Sequence, residues 1–256
     1  MTASVSNGAS NSVTTAHNHI NAQHVEDLAL RLVGWGRETG TPGEAEFSDH
    51  LVAVLKEIPY FQQNPDNIRT VASHGDPLTH NVVALVRGNG KRTLALAGHF
   101  DTVATDNYHE LKSLACESLK LKDALIKDLS NRSRSAQEER ALEDLLSGDF
   151  LPGRGLLDMK SGLAVGIACA EKFAADPARS GNLLLVFTPD EERESRGMRS
   201  MRNALPAIAR DFDIEISAAI NLDVTSDQGD GKEGRAVYAG TIGKLLPFAL
   251  VIGLSS

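Results

Sequence analysis

The sequence predicts an α/β fold in which a mostly parallel sheet is flanked by helices. Short apolar runs without strict polar alternation occupy residues 93–97, 183–187 and 216–220, as expected of strands that are buried on both faces. Helical patterns lie between these runs, at Ser161–Phe173 and Gly197–Ala209. Because strands and helices alternate along the chain, they are expected to pack as layers of sheet and helix.

Further elements are predicted on either side of the first run. Apolar residues recur at helical spacing from Val25 to Trp35 and again from Phe47 to Ile58, which predicts two amphipathic helices. Asn81–Val86 is a fourth strand candidate. Residues 110–147 are rich in Lys, Glu and Leu, and this composition predicts a helical, exposed insertion beside the site.

Composition also suggests where the domain begins and ends. Residues 1–22 are rich in Ser, Thr and Asn and lack the basic start and apolar run of a secretory signal, so they predict a disordered polar tail. Residues 23–240 are expected to form the N-terminal part of one domain. Residues 241–256 contain a Gly-Thr-Ile-Gly turn and a further apolar run, and they are expected to begin another element.

Charge, apolar run length and cysteine content indicate which partners and which compartment to expect. The 256 residues carry a formal net charge of −8, which disfavours nucleic acid and anionic membranes as partners, so a small solute is the expected ligand. No apolar run approaches the roughly 18 to 20 residues of a membrane span. Because Cys116 and Cys169 form no disulfide framework, a reducing cytoplasm is the expected compartment.

Four polar clusters stand where the apolar runs end or a helix begins. They are residues 98–103, 158–160, 190–192 and 221–223. In an open parallel sheet, ligands bind at the carboxyl edge of the strands. Three of the clusters are expected on that edge, and the fourth, at Asp158, begins a helix that can point toward it.

A divalent cation explains why so many carboxylates are gathered at one edge. Without a cation, like charges in a cleft repel each other and raise one another's pKa. One imidazole with several carboxylates is a nitrogen and oxygen ligand set that fits zinc, and less selectively manganese or cobalt. His99 and Asp101 leave an extended segment on the same face, so Asp101 can hold the ring of His99.

Each cluster also has a simpler interpretation. The pair His99 and Asp101 is compatible with surface polarity or a buried hydrogen-bonded pair, and the acidic run 190–194 with a solvated face. Asp158 is suited to cap a helix, and Asp223 to occupy a turn. The order in which all four occur, each beside a buried strand or a helix start, favours the metal interpretation over these separate ones.

Three of the clusters belong to longer motifs that resemble a known family. The chain is similar, over roughly residues 24–254, to the dizinc metallopeptidase family of aminoacylases, carboxypeptidases and succinyl-diaminopimelate desuccinylases. The charged insertion is most similar to the arginine-utilisation (RocB-type) branch. The motifs that carry the resemblance occur in the family's order and are Gly98–Val103, Gly153–Gly162 and Thr188–Glu192, the last followed by Ser195 and Gly197.

The resemblance implies a zinc-exopeptidase-type fold and a ligand set for two zinc ions. His99 and Asp223 are implied to bind one zinc and Glu192 the other, with Asp158 bridging both. The substrate implied is a small peptide or an N-acyl amino acid.

The resemblance also implies a mechanism. Asp101 is implied to orient His99, and Glu191 to act as general base toward a metal-bound water, which then attacks the substrate carbonyl. The family often has a cis peptide after the bridging aspartate, here Asp158–Met159.

One departure from the family concerns the second zinc. Complete members carry a further histidine ligand near their C-terminus, whereas all eight histidines of this chain precede residue 110. The family also inserts a lid domain used for homodimerisation, of which residues 241–256 would be only the start. The chain is therefore expected to be a truncated hydrolase. Two alternatives are an inactive metal-binding or interaction protein and a hydrolase of the same fold with one metal.

Overall fold

Helices flank both faces of a five-stranded sheet in the computed structural model, which describes residues 20–36 and 38–224. The helices in this part of the chain are α1 (Ala22–Gly34), α2 (Pro42–Leu55), α3 (Pro59–Gln63), α4 (Ser118–Ser130), α5 (Ala136–Ser147), α6 (Ser161–Ala175) and α7 (Arg196–Asp211). The strands are β1 (Ile68–Ala72), β2 (His80–Val86), β3 (Asn89–His99), β4 (Ser180–Thr188) and β5 (Glu215–Asn221). The predicted α/β class is confirmed.

The sheet is mixed, and its parallel strands are those that lead to the polar clusters. The strand order is β1-β2-β4-β3-β5. Strand β3 runs parallel to both of its neighbours, β4 and β5. Strands β1 and β2 form an antiparallel hairpin, and β2 pairs antiparallel with β4.

Central strands of this sheet are apolar without alternation because both of their faces are covered. Along β4, Leu183, Leu185 and Phe187 pack on the side of α1, α2 and α6. Leu184 and Val186 point to the other side, where they pack with Met201 and Ile208 of α7. Successive side chains of a strand leave on opposite faces, so a strand covered on both faces needs an apolar residue at every position.

Strand β5 is less buried than the sequence predicts. Residues 216–220 were expected to be buried on both faces, but most of β5 is exposed, and Ile220 is 48% exposed. The burial prediction is wrong because β5, among the described strands, is an edge strand that pairs with β3 alone. Strand β1 carries no clear apolar run, and the sequence pattern did not predict it.

The charged stretch between β3 and α6 contains helices. A 3-10 helix covers Asp106–Leu114, and α4 and α5 follow it and pack together through Leu129, Leu142 and Leu145. Ser135 caps α5 in a reciprocal capping box with Glu138, which satisfies N–H groups of the first turn. No helix in the described ranges is both long and apolar enough to cross a membrane.

Two predictions concern residues that are not described. Residues 1–19 of the expected polar tail lie outside the described residues, and so do residues 225–256, which contain the Gly-Thr-Ile-Gly turn and the expected start of a lid.

Candidate metal centre

Three parallel strands end at the same edge of the sheet, and each end carries part of the site. The register pairs His99 at the end of β3 with Thr188 at the end of β4, and Ala97 of β3 with Asn221 of β5. Glu191 and Glu192 follow β4 closely, and Asp223 follows β5. Chain segments that are distant in sequence therefore meet at one place.

His99, Asp158 and Glu192 form a group that can hold a metal ion. One ligand atom from each of the three side chains lies within 4.8 Å of the others. Nε2 of His99 is 3.0 Å from Oδ1 of Asp158. His99 is almost fully buried, whereas the Asp158 side chain is about half exposed, so the group opens to solvent on the carboxylate side.

Glu191 and Asp223 line a cavity next to this group. The cavity has a volume of about 420 Å³, and His99 also contributes to its wall. Oε2 of Glu191 is 3.9 Å from Nε2 of His99. Asp223 lies on the same edge of the sheet as His99, as the proposed ligand set requires.

Asp101 supports both the imidazole and the loop after β4. Its Oδ1 is 3.4 Å from Nδ1 of His99, which is also 3.2 Å from the backbone carbonyl of Asp101. The two carboxylate oxygens accept the backbone N–H groups of Glu191 and Glu192 at 3.0 and 3.2 Å. The hydroxyl of Thr39 donates to Oδ2 at 2.8 Å. One buried carboxylate thus fixes the position of three residues of the site.

Asp158 lies in a wide turn, Leu156–Lys160, that precedes α6. The peptide bond Asp158–Met159 is cis, as the resemblance implied. Asp158 does not cap α6, because the residue at the N-cap is Lys160 and the Asp158 carboxylate faces His99. Met159 is buried, and its Sδ accepts the backbone N–H of His99 at 3.1 Å.

The electrostatics of the site favour a bound cation. Burial alone would lower the pKa of His99, but hydrogen bonds to Asp101 and Asp158 raise it to about 10. Burial raises the pKa of Glu191, and the nearby carboxylates of Asp223, Asp101 and Asp158 raise it further. Without a metal, the site therefore keeps a proton on the imidazole that a cation can replace.

The pKa values of Asp101 and Glu192 differ in direction. Burial opposes ionisation of Asp101, yet its hydrogen bonds with His99, Thr39 and the backbone hold its pKa below the ordinary value. Burial raises the pKa of Glu192, and the Asp158 carboxylate adds to the effect. Asp101 is thus suited to remain charged as a support, whereas Glu192 gains from a neighbouring cation.

Sequence reasoning identified the polar clusters but missed three of their supports. Thr39, Glu44 and Met159 all contact the site or its loop. Thr39 and Glu44 lie far upstream in sequence, and only the tertiary fold brings them to the site. Met159 stands beside Asp158 in a motif that had been singled out, but its contact with the His99 backbone depends on the local turn.

Comparison with known proteins identifies relatives of this arrangement. Residues 140–238 match peptidase family M20/M25/M40. The chain is 34% identical over 219 residues to the Bacillus subtilis (strain 168) protein YqjN, covering 86% of this chain and 39% of YqjN. It is 32% identical over 244 residues to protein RocB of the same organism, covering 93% of this chain and 42% of RocB. The chain therefore spans about two fifths of the length of these curated relatives.

A solved structure supports the fold. The di-peptidase Dug1p from Saccharomyces cerevisiae matches with a TM-score of 0.50 at 14% identity, over 79% of this chain and 40% of Dug1p. At this identity the similarity concerns the fold alone.

Proposed function

We propose that this chain, of which residues 140–238 match peptidase family M20/M25/M40, provides the metal-binding part of a zinc-dependent hydrolase that cleaves an amide bond in a small peptide or an N-acyl amino acid. The observation that carries the proposal is the convergence of His99, Asp158 and Glu192 within 4.8 Å, beside a cavity lined by Glu191.

The donor atoms of this site fit zinc. A neutral imidazole and carboxylate oxygens are common zinc ligands, and a buried histidine held by a carboxylate partner is the usual supporting arrangement. His99, Asp158 and Asp223 are proposed to hold the first ion, and Glu192 with Asp158 the second. When bound, zinc lowers the pKa of a coordinated water and polarises the substrate carbonyl.

Glu191 is proposed as the general base. Its carboxylate faces the cavity, about half exposed, and lies 3.9 Å from the imidazole of His99. Its raised pKa brings it closer to neutral pH, where a base can take a proton from water and return it to the leaving amine. The carboxylate of Asp101 accepts the backbone N–H of Glu191, and this hydrogen bond fixes the main chain that carries the proposed base.

Substrate identity, assembly and location are further parts of the proposal. We propose arginine-containing dipeptides and N-acyl arginine as the first compounds to assay, because the charged insertion resembles the arginine-utilisation branch. A homodimer is proposed for a protein of the relatives' full length, and the cytoplasm stays the expected compartment.

A direct test measures metal content and turnover in parallel. In a protein of the relatives' length, elemental analysis gives the zinc per chain for the wild type and for Glu191→Gln, while N-acyl amino acids and dipeptides are assayed with both. We expect Glu191→Gln to retain zinc and to lose turnover by about 10²- to 10⁴-fold, the usual contribution of a general base. Glu194→Gln, in the same loop, is the matched control and should change neither quantity.

The outcomes separate the proposal from its alternatives. Zinc binding without turnover, in this chain and in a protein of the relatives' length, would favour an inactive metal-binding protein. One zinc per chain with full turnover, in a protein of the relatives' length, would favour a one-metal hydrolase. A wild-type protein that binds no zinc, cobalt or manganese would refute the proposed function.

A further inference from the structure

The loop after β4 is held through three consecutive backbone N–H groups. The N–H of Asp190 donates to Oε1 of Glu44 at 2.8 Å. The next two N–H groups, of Glu191 and Glu192, donate to the carboxylate of Asp101 at 3.0 and 3.2 Å. Two carboxylates from other elements therefore set the path of the main chain that carries the proposed base and a proposed ligand.

Glu44 lies on α2 and is only 1% exposed. Its second oxygen, Oε2, accepts the backbone N–H of Gly40 at 2.7 Å. Both oxygens thus accept a main-chain donor, an arrangement that offsets part of the cost of burying a carboxylate. The side chain ties the segment before α2 to the loop after β4.

Asp190 is the point at which this loop changes direction. Its φ is +61°, in the left-handed region that non-glycine residues rarely adopt. The Asp190 carboxylate accepts from the guanidinium of Arg196 at 2.9 and 2.8 Å and from the Arg196 backbone N–H at 3.0 Å. Such a conformation persists only where surrounding contacts fix it, and Glu44 holds the one Asp190 backbone donor.

We propose that Glu44 is a positioning residue for Glu191 and Glu192, acting through the backbone N–H of Asp190. This inference rests on the proposed function, because it assigns Glu44 a purpose in metal binding and turnover. Glu44 itself does not line the cavity beside His99. Its effect is to keep the Asp190 backbone in the conformation from which the next two side chains reach the metal centre.

The experiment compares two substitutions of Glu44 with a control on the same helix. Glu44→Ala removes both acceptors. Glu44→Gln keeps the side-chain size and one acceptor oxygen, but places an NH₂ group against the other N–H donor. The exposed Asp49, also on α2, provides the control Asp49→Asn. Each protein is assayed for thermal unfolding, for zinc affinity and for hydrogen exchange of the amides of Gly40 and residues 190–192.

We expect the Asp190 amide to exchange about 10-fold faster or more in Glu44→Ala, and either the Asp190 or the Gly40 amide to do so in Glu44→Gln, since a hydrogen bond to a charged acceptor corresponds to at least that factor. Zinc affinity should fall by about 10- to 100-fold, the usual effect of losing a group that orients a ligand. The control should match the wild-type protein in all three measurements. Glu44→Gln is the informative variant if Glu44→Ala does not fold.

Two results would overturn the inference. The first is unchanged exchange of both the Asp190 and the Gly40 amides in folded Glu44→Gln, whose single oxygen cannot accept from both. The second is a lower melting temperature with unchanged zinc affinity, which would give Glu44 a purely structural role. A wild-type chain that binds no metal would refute the proposed function instead, and the exchange measurement would then still decide whether Glu44 holds the loop.

Discussion

Nε2 of His99 lies 3.0 Å from Oδ1 of Asp158, although 59 positions separate the two residues in sequence. The contact forms because the end of β3 and the turn before α6 meet at one edge of the sheet. Both atoms are proposed to bind the same ion, so the proton that joins them in the absence of metal occupies the place of a cation.

Zinc binding should release about one proton per chain at pH 7 to 8. The pKa of His99 without metal is raised to about 10, so the imidazole is protonated at neutral pH, and it must be neutral to bind a metal. The release should fall toward zero as the pH rises through this pKa. Zinc affinity should accordingly rise by about tenfold per pH unit from pH 7 to 9.

Calorimetric titrations in two buffers with different ionisation enthalpies give the number of protons released. The variant His24→Gln changes a histidine that lies at another site, hydrogen-bonded to Glu171, and should behave as the wild-type protein does. Zinc binding without proton release at pH 7 would contradict the assignment of His99 as a ligand.

Asp101→Asn should weaken zinc binding by about 10- to 100-fold. The carboxylate supports the imidazole of His99 and also accepts two backbone N–H groups of the loop, and an amide cannot accept with both of its ends. Thr39→Val is the graded control, because it removes a single hydrogen bond to Asp101 and should have a smaller effect. Equal zinc affinity in Asp101→Asn and the wild-type protein would show that this support is dispensable.

Two glycine substitutions should change stability in opposite directions. A Cβ added at Gly98 would lie 2.3 Å from Cε of Met159 and 2.9 Å from a methyl group of Leu163, so Gly98→Ala should destabilise the fold by about 1 to 3 kcal/mol. A Cβ at Gly34, in α1, meets no atom within 4 Å, and Gly34→Ala should stabilise by about 0.5 kcal/mol. Urea unfolding of both variants gives the two free energies, and a neutral Gly98→Ala would show that Met159 moves aside at little cost.

The sequence was sufficient to predict the site at the level of strand ends. His99 is placed by a buried apolar run that stops at it, and Glu191 and Glu192 by another, so the carboxyl-edge rule for parallel strands brings them together. The same rule predicted that Asp223 lies at this edge, where it lines the cavity beside His99, although β5 is exposed rather than buried. Strand ends depend on local patterns, whereas burial depends on what the rest of the fold covers.

The supports of the site could not be predicted in this way. In the sequence, Glu44 is an ordinary acidic residue in the first turn of a helix, where a negative charge interacts favourably with the helix dipole. Its contact with the backbone of Asp190 spans 146 positions and exists only because α2 packs beside the end of β4. No periodicity or spacing in the sequence carries information about a side chain that binds a distant main chain.

The last prediction concerns the number of zinc ions and the role of Glu192. His99, Asp158 and Asp223 are proposed to hold the first zinc, and three protein ligands are what a catalytic zinc normally has. A second zinc would be left with Glu192 and the shared Asp158, because the group of metal-ligating side chains in the described residues contains one histidine, His99. We therefore expect one tightly bound zinc per chain and a second that binds much more weakly.

The variant Glu192→Gln tests which of the two zinc ions Glu192 binds. If Glu192 belongs to the tight site, this variant should lose affinity for the single zinc by about tenfold or more, because an amide is a poorer zinc ligand than a carboxylate. If Glu192 serves only the second ion, tight binding should persist and only the weak phase should disappear. Glu194→Gln, two positions further along the loop, controls for the loss of one negative charge. Two zinc ions held with equal affinity in the wild-type chain would contradict the prediction, since two ligands would then suffice for the second.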